Sequence, residues 1–396
     1  MPDQEIQYKK LREERPLGLR EDACLVLRAP RYATCRACET ACPVQAIKVG
    51  EITFELGDAC IDCGRCAAAC PMGALGLPGF VVPEVKPVQG ELSSAKPVPV
   101  ECWKVPAESS LPDAVRVPCT GGLSTGRLVE LAAAAGDRPV QIWDRGWCAA
   151  CRAGGGPEHP VSGALEAARG LLAGAGVRPE KLPGIAFMPL PAQLMPAEIP
   201  SSTSQQTLSR RGFFSAFMRE TTAAIDQVRP LAPKSEIRRK RGFERTPMPS
   251  RERERLLLGL SILGKSTDKP PPSEAFYRVQ ISQACRSHNI CVGICPTGAL
   301  DIYEEDAQNG VVFDSYLCIG CGQCVTVCPE SAIELSPNGN DLMTIGQLRL
   351  TRFGVQDCPV CGQTFTAQGG SDCCPQCAKR RQLASSAFAS LFGNNR

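Results

Sequence analysis

Between residues 98 and 192, short apolar runs alternate with longer stretches whose apolar residues recur at helical spacing. Val98–Trp103, Ala114–Pro118, Val140–Trp143 and Ile185–Pro189 read as short buried strands. Leu123–Ala135 and Gly163–Ala175 are rich in Ala and Leu and predict helices. This alternation predicts a small parallel α/β layer, in which functional groups gather at the carboxyl ends of the strands. Residues 193–275 are polar and rich in Pro, Ser and Arg, as in a basic tether between packed modules. Two short amphipathic helices are expected within it. One is carried by Phe214, Phe217, Met218, Ile225 and Val228, the other by Leu256, Leu257, Leu260 and Leu263, and both are expected to dock on the protein's own body. The longest apolar runs, such as Leu256–Leu258 and Ala132–Ala135, are far too short to span a bilayer.

Composition changes this picture through cysteine. The chain has 24 cysteines in 396 residues, with a net charge of only +3. That balance gives no general attraction to nucleic acid or membrane. The cysteines fall in four groups: Cys24–Cys70, Cys102–Cys151, Cys285–Cys328 and Cys358–Cys377. Most are separated by two or three residues, the spacing of metal-ligating thiolates, and ligation needs reduced sulfur. With no apolar segment of signal-peptide type in MPDQEIQYKK, the expectation is a cytoplasmic protein with several metal centres.

The clearest blocks are Cys60-Ile-Asp-Cys63-Gly-Arg-Cys66-Ala-Ala-Ala-Cys70-Pro71 and Cys318-Ile-Gly-Cys321-Gly-Gln-Cys324-Val-Thr-Val-Cys328-Pro329. Each has a weaker partner upstream, around Cys35, Cys38 and Cys42, and around Cys285, His288, Cys291 and Cys295. The last cysteine of each block opens the same phrase, read as CPVQAI, CPMGAL, CPTGAL and CPESAI, so the repeat occurs in two pairs. The C-x2-C-x2-C-x3-C-P run resembles the bacterial 2[4Fe-4S] ferredoxin family, twice, over residues 20–80 and 276–337. In that family the fourth cysteine of each run ligates the other cluster. The resemblance therefore implies one cluster on Cys60, Cys63, Cys66 and Cys42, and a neighbour on Cys35, Cys38, Cys70 and one further ligand. Tyr32 stands where that ligand belongs, and Cys24 is the expected replacement; otherwise the site holds a three-iron cluster with Cys24 merely buried. In the second pair the resemblance implies one cluster on Cys318, Cys321, Cys324 and Cys295. The other has Cys285, Cys291 and Cys328, with His288 at the position of the second cysteine. It is either histidine-ligated, which would ease its reduction, or a three-iron cluster, or absent.

Cys102, Cys119, Cys148 and Cys151 follow the predicted strands of the α/β layer. The Val-Pro-Cys119-Thr-Gly phrase and the Cys148-Ala-Ala-Cys151 turn resemble, distantly, the [2Fe-2S]-carrying delta-subunit family of methyl-viologen-reducing hydrogenases. An iron–sulfur centre is expected, with zinc, no metal, or a Cys148/Cys151 redox dithiol as alternatives. The loop Gly121–Gly126 reads as a tight turn, with anion binding at the following helix as the alternative. His159, in a Gly/Pro loop, reads as a surface residue. Ser209–Phe214 resembles a twin-arginine export motif, but its position within the chain and the charges after it argue against export. The run Arg238–Arg241 reads as a solvated face. Cys358, Cys361, Cys374 and Cys377 form two C-x2-C knuckles that resemble zinc ribbons and rubredoxins, implying zinc, or else iron, in a closed site. Cys373 is spare or takes the place of Cys374.

The expected fold class is α+β and multidomain: two ferredoxin-like βαβ iron–sulfur modules flanking a small parallel α/β domain, with a C-terminal zinc-ribbon-like module. The segments are 1–19 (extension), 20–80 (first ferredoxin module), 81–97 (linker), 98–192 (α/β domain), 193–275 (basic linker), 276–337 (second ferredoxin module) and 338–396 (ribbon). The expected function is a polyferredoxin-type electron-transfer subunit carrying up to four [4Fe-4S] clusters, with catalysis on partner oxidoreductase subunits that give or take its electrons. No Gly-x-Gly-x-x-Gly phrase after a strand and no Ser/His/Asp set points to catalysis in the chain itself. A redox sensor that binds nucleic acid or protein, and a thiol–disulfide enzyme using Cys148 and Cys151, are the alternatives; no helix-turn-helix or stacking-aromatic platform supports nucleic acid as the partner.

Overall fold

The computed structural model describes residues 9–12, 15–51, 53–77, 96–154, 156–196, 246–305, 308–339, 345–366 and 372–392. The predicted helix around Phe214–Val228, the Ser209–Phe214 motif and the Arg238–Arg241 run lie outside the described residues. The described chain is a mixed α/β protein with several small sheets, and it divides into two compact units.

The first unit holds the described residues up to 196 together with 249–275. Its α/β layer is a four-stranded parallel sheet in the order Val115–Val117, Val98–Cys102, Val140–Asp144, Gly184–Phe187. Val100, Val117 and Ile142 are wholly buried and anchor the sheet in the core. The helix Thr125–Ala135 starts at Ser124, whose Oγ accepts from the Arg127 N–H at 3.1 Å. Leu128, Val129 and Leu131 on it are fully buried. The helix Ser162–Gly174 buries Leu165, Ala168 and Leu172, one stripe at helical spacing.

The helix carrying Leu256, Leu257, Leu260 and Leu263 spans Arg251–Thr267 and packs on Thr125–Ala135. Leu260 and Leu263 are buried, while Leu256 and Leu257 are half-buried. Contact is close because Gly259 has no side chain: a Cβ there would sit 2.8 Å from Val129 Cγ1. The Glu252 carboxylate accepts from the Gly126 N–H at 2.8 Å. That carboxylate fills the helix N-terminus at which the sequence allowed an anion. Ser250 Oγ donates to the Pro71 carbonyl at 2.6 Å, tying this helix to the cysteine-rich residues 15–77.

With Lys9–Lys10, those residues form two small antiparallel sheets, Lys9–Lys10/Gly18–Leu19/Leu75–Gly76 and Ile47–Val49/Phe54–Leu56. Short helices Leu25–Arg28, Ala37–Thr40 and Arg65–Ala68 separate them.

A buried ion pair braces the α/β layer. Glu101 and Arg145 are 0% and 5% exposed and approach to 3.4 Å. Glu101 also accepts from Ser110 Oγ and the Leu111 N–H, and Arg145 donates to the Ser109 carbonyl. Removing one partner leaves the other charge buried. Arg145→Leu is therefore expected to destabilise this unit by about 3–5 kcal/mol in denaturant unfolding, and the double variant with Glu101→Leu by distinctly less than the sum.

The second unit holds residues 246–248 and the described residues from 276 onward. Tyr277–Ile281 pairs antiparallel with Ile333–Pro337, and the hairpin Leu300–Glu305/Gln308–Asp314 lies in a five-stranded sheet. Gln347–Arg349 and Phe353–Asp357 pair with that hairpin, and Thr364–Thr366 with Phe353–Asp357. The sheet therefore runs without a break from the second cysteine-rich module into the C-terminal one. Val279, Leu300, Val311, Phe313 and Ile333 make the core between the strands and the cysteine loops.

Candidate iron–sulfur and metal centres

The cysteine loops owe their shape to left-handed residues. In Cys60–Cys66 these are Asp62 and Gly64, in Cys318–Cys324 Gly320 and Gly322, and in Cys285–Cys291 Ser287 and Asn289. In each loop they flank the middle ligand position, occupied by Cys63, Cys321 and His288 respectively. Gly64 and Gly322 have φ near +70°, a region that favours glycine.

The repeated Cys-Pro-x-x-Ala phrase has its own geometry. The residue before each alanine is left-handed: Gln45, Gly73, Gly298 and Ser331. That turn folds the chain back, so that the alanine N–H donates to the cysteine sulfur from Ala46 to Cys42 and from Ala74 to Cys70, both at 3.2 Å, and from Ala332 to Cys328 at 3.3 Å. Such bonds favour the thiolate form and tune a bound cluster. The repeat is visible in the sequence; the hydrogen bond it makes is a property of the folded turn.

In the first unit the loops enclose two cavities. One is lined by Cys42, Cys60, Cys63 and Cys66 under Leu17, Ile47 and Leu77. The other is lined by Cys24, Cys35, Cys38 and Cys70 under Leu25, Val49 and Phe54. The structure thus brings Cys24 to the set that lacked a fourth ligand. It does so because Leu25–Arg28 is a single helical turn that packs Leu25 and Val26 inward, with Cys24 just before it. Tyr32 is 45% exposed.

In the second unit Cys324 lies among Cys321, Cys295 and Cys318, and Cys291 beside Cys285 and Cys328. His288 occupies the loop position matching Cys321 and is exposed. These pairings follow the crossed-over pattern.

Burial sets the thiol chemistry. Desolvation first, and neighbouring cysteines after it, pushes Cys38 and Cys324 up to about 12. Burial likewise raises Cys60 and Cys291 to about 11. Without a metal these thiols stay neutral at neutral pH; a bound metal supplies the charge that makes them thiolates. The sign follows from linkage. A thiol whose folded pKa is raised contributes stability that is lost as pH climbs from its ordinary 9.0 toward 11–12. Metal-free protein is expected to lose thermal stability across that window, whereas loaded protein, already deprotonated at sulfur, is expected to stay level; melting curves of both forms at stepped pH check this.

At the α/β layer, Cys102 ends its strand, Cys119 lies just beyond Val117, and Cys148 and Cys151 bound the turn after Asp144. All four sit at the carboxyl side of the sheet, and burial raises the pKa of Cys102, Cys119 and Cys148. Among the described residues, three or more donor atoms lie within 4.8 Å of one another in only two groups: Asp144, Cys148 and His159, and the four C-terminal cysteines. His159 is not a surface residue: it is half-buried, with its Nε2 enclosed and without a hydrogen-bond partner.

Cys358, Cys361, Cys374 and Cys377 converge at the C-terminal knuckles, with Cys361 and Cys374 sulfurs 3.7 Å apart. That spacing matches neighbouring corners of a tetrahedral thiolate site, about 3.8 Å for Zn–S bonds of about 2.3 Å. The Cys374 N–H donates to Cys358 Sγ at 3.3 Å and is the main cause that lowers Cys358 to about 6. Cys373 is buried but lies outside the group, which assigns the position to Cys374. Left-handed Gly362 closes the first knuckle, donating its N–H to the Cys358 carbonyl at 2.7 Å.

Known proteins carry the same cysteine-rich pattern. Residues 283–332 match the family model described as 4Fe-4S dicluster domain. The chain is 37% identical over 86 residues to the thiosulfate reductase electron transfer subunit PhsB of Salmonella typhi, covering 21% of this chain and 35% of that protein. It is 43% identical over 51 residues to Ferredoxin 7Fe of Hydrogenibacillus schlegelii, covering 13% of this chain and 65% of that one. With the polyferredoxin protein MvhB of Methanothermobacter marburgensis it shares 40% identity over 57 residues, 13% of this chain and 14% of that protein. The chain thus spans about a third of the length of the thiosulfate reductase subunit. No helix among the described residues is long and apolar enough to cross a membrane. Loops of ligand geometry, crossed-over cysteine sets and these matches together identify a 4Fe-4S ferredoxin domain in this chain, with [4Fe-4S] clusters as its cofactor.

Proposed function

We propose that the chain is an electron-transfer subunit of a multi-subunit oxidoreductase, relaying electrons between partner subunits through up to four [4Fe-4S] clusters. The observation that carries this reading is the enclosure of Cys42, Cys60, Cys63 and Cys66 in one cavity and of Cys24, Cys35, Cys38 and Cys70 in the next. Two neighbouring four-thiol pockets suit the passage of electrons from one cluster to the next. The relatives named as an electron transfer subunit and a polyferredoxin support it.

In the proposed arrangement, ferredoxin modules at 20–80 and 276–337 flank the α/β domain at 98–192, and the ribbon at 338–396 closes the chain. Cys295, Cys318, Cys321 and Cys324 hold a third cluster. Cys285, Cys291 and Cys328 hold the fourth site, with His288 as fourth ligand or with three irons. Cys102, Cys119, Cys148 and Cys151 hold an additional iron–sulfur centre, and Cys358, Cys361, Cys374 and Cys377 a structural zinc. The many reduced thiols suit the cytoplasm, and all 24 cysteines are free.

Elemental analysis of anaerobically purified protein tests the assignment. About 16 irons are expected for four full clusters, with two more if the α/β layer carries a [2Fe-2S] centre, and one zinc per chain. About eight irons or fewer would refute a two-module relay, because eight fill only one pair of clusters.

A further inference from the structure

The first ferredoxin-like module and the α/β layer belong to the same unit, and they meet at their cysteines. Cys63 and Cys119 are 7% exposed each and share one buried cluster with Ala153, against which Ile61 and Cys151 pack. The two are near enough for the charge of one to raise the thiol of the other. The contact is built from backbone on both sides. A Cβ on Gly122 would stand 2.9 Å from the Cys63 carbonyl oxygen, and one on Gly64 would touch Gly122 Cα at 4.0 Å. Arg65, between Cys63 and Cys66, reaches across the seam, and its Nη1 donates to the carbonyls of Ala153 at 3.1 Å and Gly154 at 2.7 Å. Those carbonyls belong to the loop that follows Cys148 and Cys151. A Cβ on Gly121 would strike Arg65 and Pro160, so the bare glycine leaves the space in which the arginine lies. Ordinary packing between modules needs no such meeting of ligand loops. Here a ligand of one centre lies against a ligand of the next with no solvent layer between them.

We propose that Cys63 and Cys119 form the electron contact between the first ferredoxin-like module and the α/β layer, and that Arg65 is the positioning residue that keeps this contact closed. The proposal rests on the reading that Cys102, Cys119, Cys148 and Cys151 hold an iron–sulfur centre. One electron leaves the centre ligated by Cys63, which is oxidised, and enters the centre ligated by Cys119, which is reduced. No bond forms or breaks and no proton is required. The external reductant is a low-potential one-electron donor, and the α/β layer is the port through which electrons enter or leave this unit.

The test uses the full chain, purified anaerobically and reduced with dithionite, with EPR and iron content as readouts. The wild type is expected to show the α/β-layer signal split or relaxation-broadened by its reduced neighbour. Arg65→Ala is expected to lose that interaction with iron per chain unchanged, and Arg65→Lys, which keeps a donor, to retain part of it. Gly122→Val, which wedges the seam apart, is expected to act like Arg65→Ala. Cys119→Ser is expected to lose the irons of the α/β layer alone. If Cys119→Ser loses no iron, the underlying reading of that layer is wrong, and the proposal falls with it. If the iron is lost but wild-type signals are magnetically independent, the electron contact alone is refuted. Full interaction in both Arg65→Ala and Gly122→Val would refute the positioning role.

Discussion

Replacing Cys24 by serine is expected to strip one centre of a ligand while leaving the fold intact. Cys24 lines the same cavity as Cys35, Cys38 and Cys70, although nothing in the repeat marks it as their partner. A cube held by three thiolates sheds its unligated iron. Iron should fall by one per chain if the three-iron form persists, and by four if the cluster is lost. The oxidised protein should gain the EPR signal of a three-iron centre in the first case. Fold loss is not expected, because Leu25 and Val26, rather than Cys24, anchor that turn in the core. Arg28→Ser, in the same helical turn but not lining the cavity, is the control. Unchanged iron and unchanged spectra in Cys24→Ser would mean that Cys24 is a buried thiol and no ligand.

Removing the C-terminal metal is expected to have the largest effect on stability. Around Cys358, Cys361, Cys374 and Cys377 the apolar support is slight, with Cys373 buried and Phe365 packed alongside. Metal binding in small four-ligand modules is folding energy, of order 10–16 kcal/mol in apparent terms. Chelation, or Cys358→Ser, should therefore collapse hydrogen-exchange protection across Phe353–Asp357, Thr364–Thr366 and the start of the helix Pro375–Phe392. Leu300–Glu305 and Gln308–Asp314 should keep theirs, since Val311 and Phe313 are 1% exposed in a core of their own. Cluster absorbance should also survive. Protection that outlasts complete metal loss would show that packing, and not the ion, holds the module.

The α/β layer illustrates how much could be read in advance. All four strands and both helices expected between 98 and 192 form within a few residues of their predicted ends, and the strands pair in parallel. Short runs rich in Val and Ile, set between Ala- and Leu-rich helical stretches, give the signal for this layer in the sequence itself. The helix Arg251–Thr267 was legible as an amphipathic stretch, but its place was not. Its seat against Thr125–Ala135 depends on Gly259 meeting Val129 and on Glu252 meeting Gly126, contacts between residues more than a hundred positions apart. His159 differs from its sequence expectation for the same reason, since a Gly/Pro loop is usually exposed and this one folds back over Asp144 and Cys148.

Spacing alone determined which cysteines sit on one loop, because three thiolates a few residues apart can reach a common centre only through a tight turn. It also marked the Cys-Pro-x-x-Ala turns and the two C-terminal knuckles, whose geometry is local. The tertiary structure shows how distant sulfurs come together: Cys24, expected from the sequence, lies in one cavity with Cys35, Cys38 and Cys70, and Cys374 rather than Cys373 lies in the C-terminal group. The meeting of Cys63 with Cys119 was likewise decided there. Chain distance says nothing about these partners, for they are chosen by which apolar faces bury together, and the thiols are carried in with them.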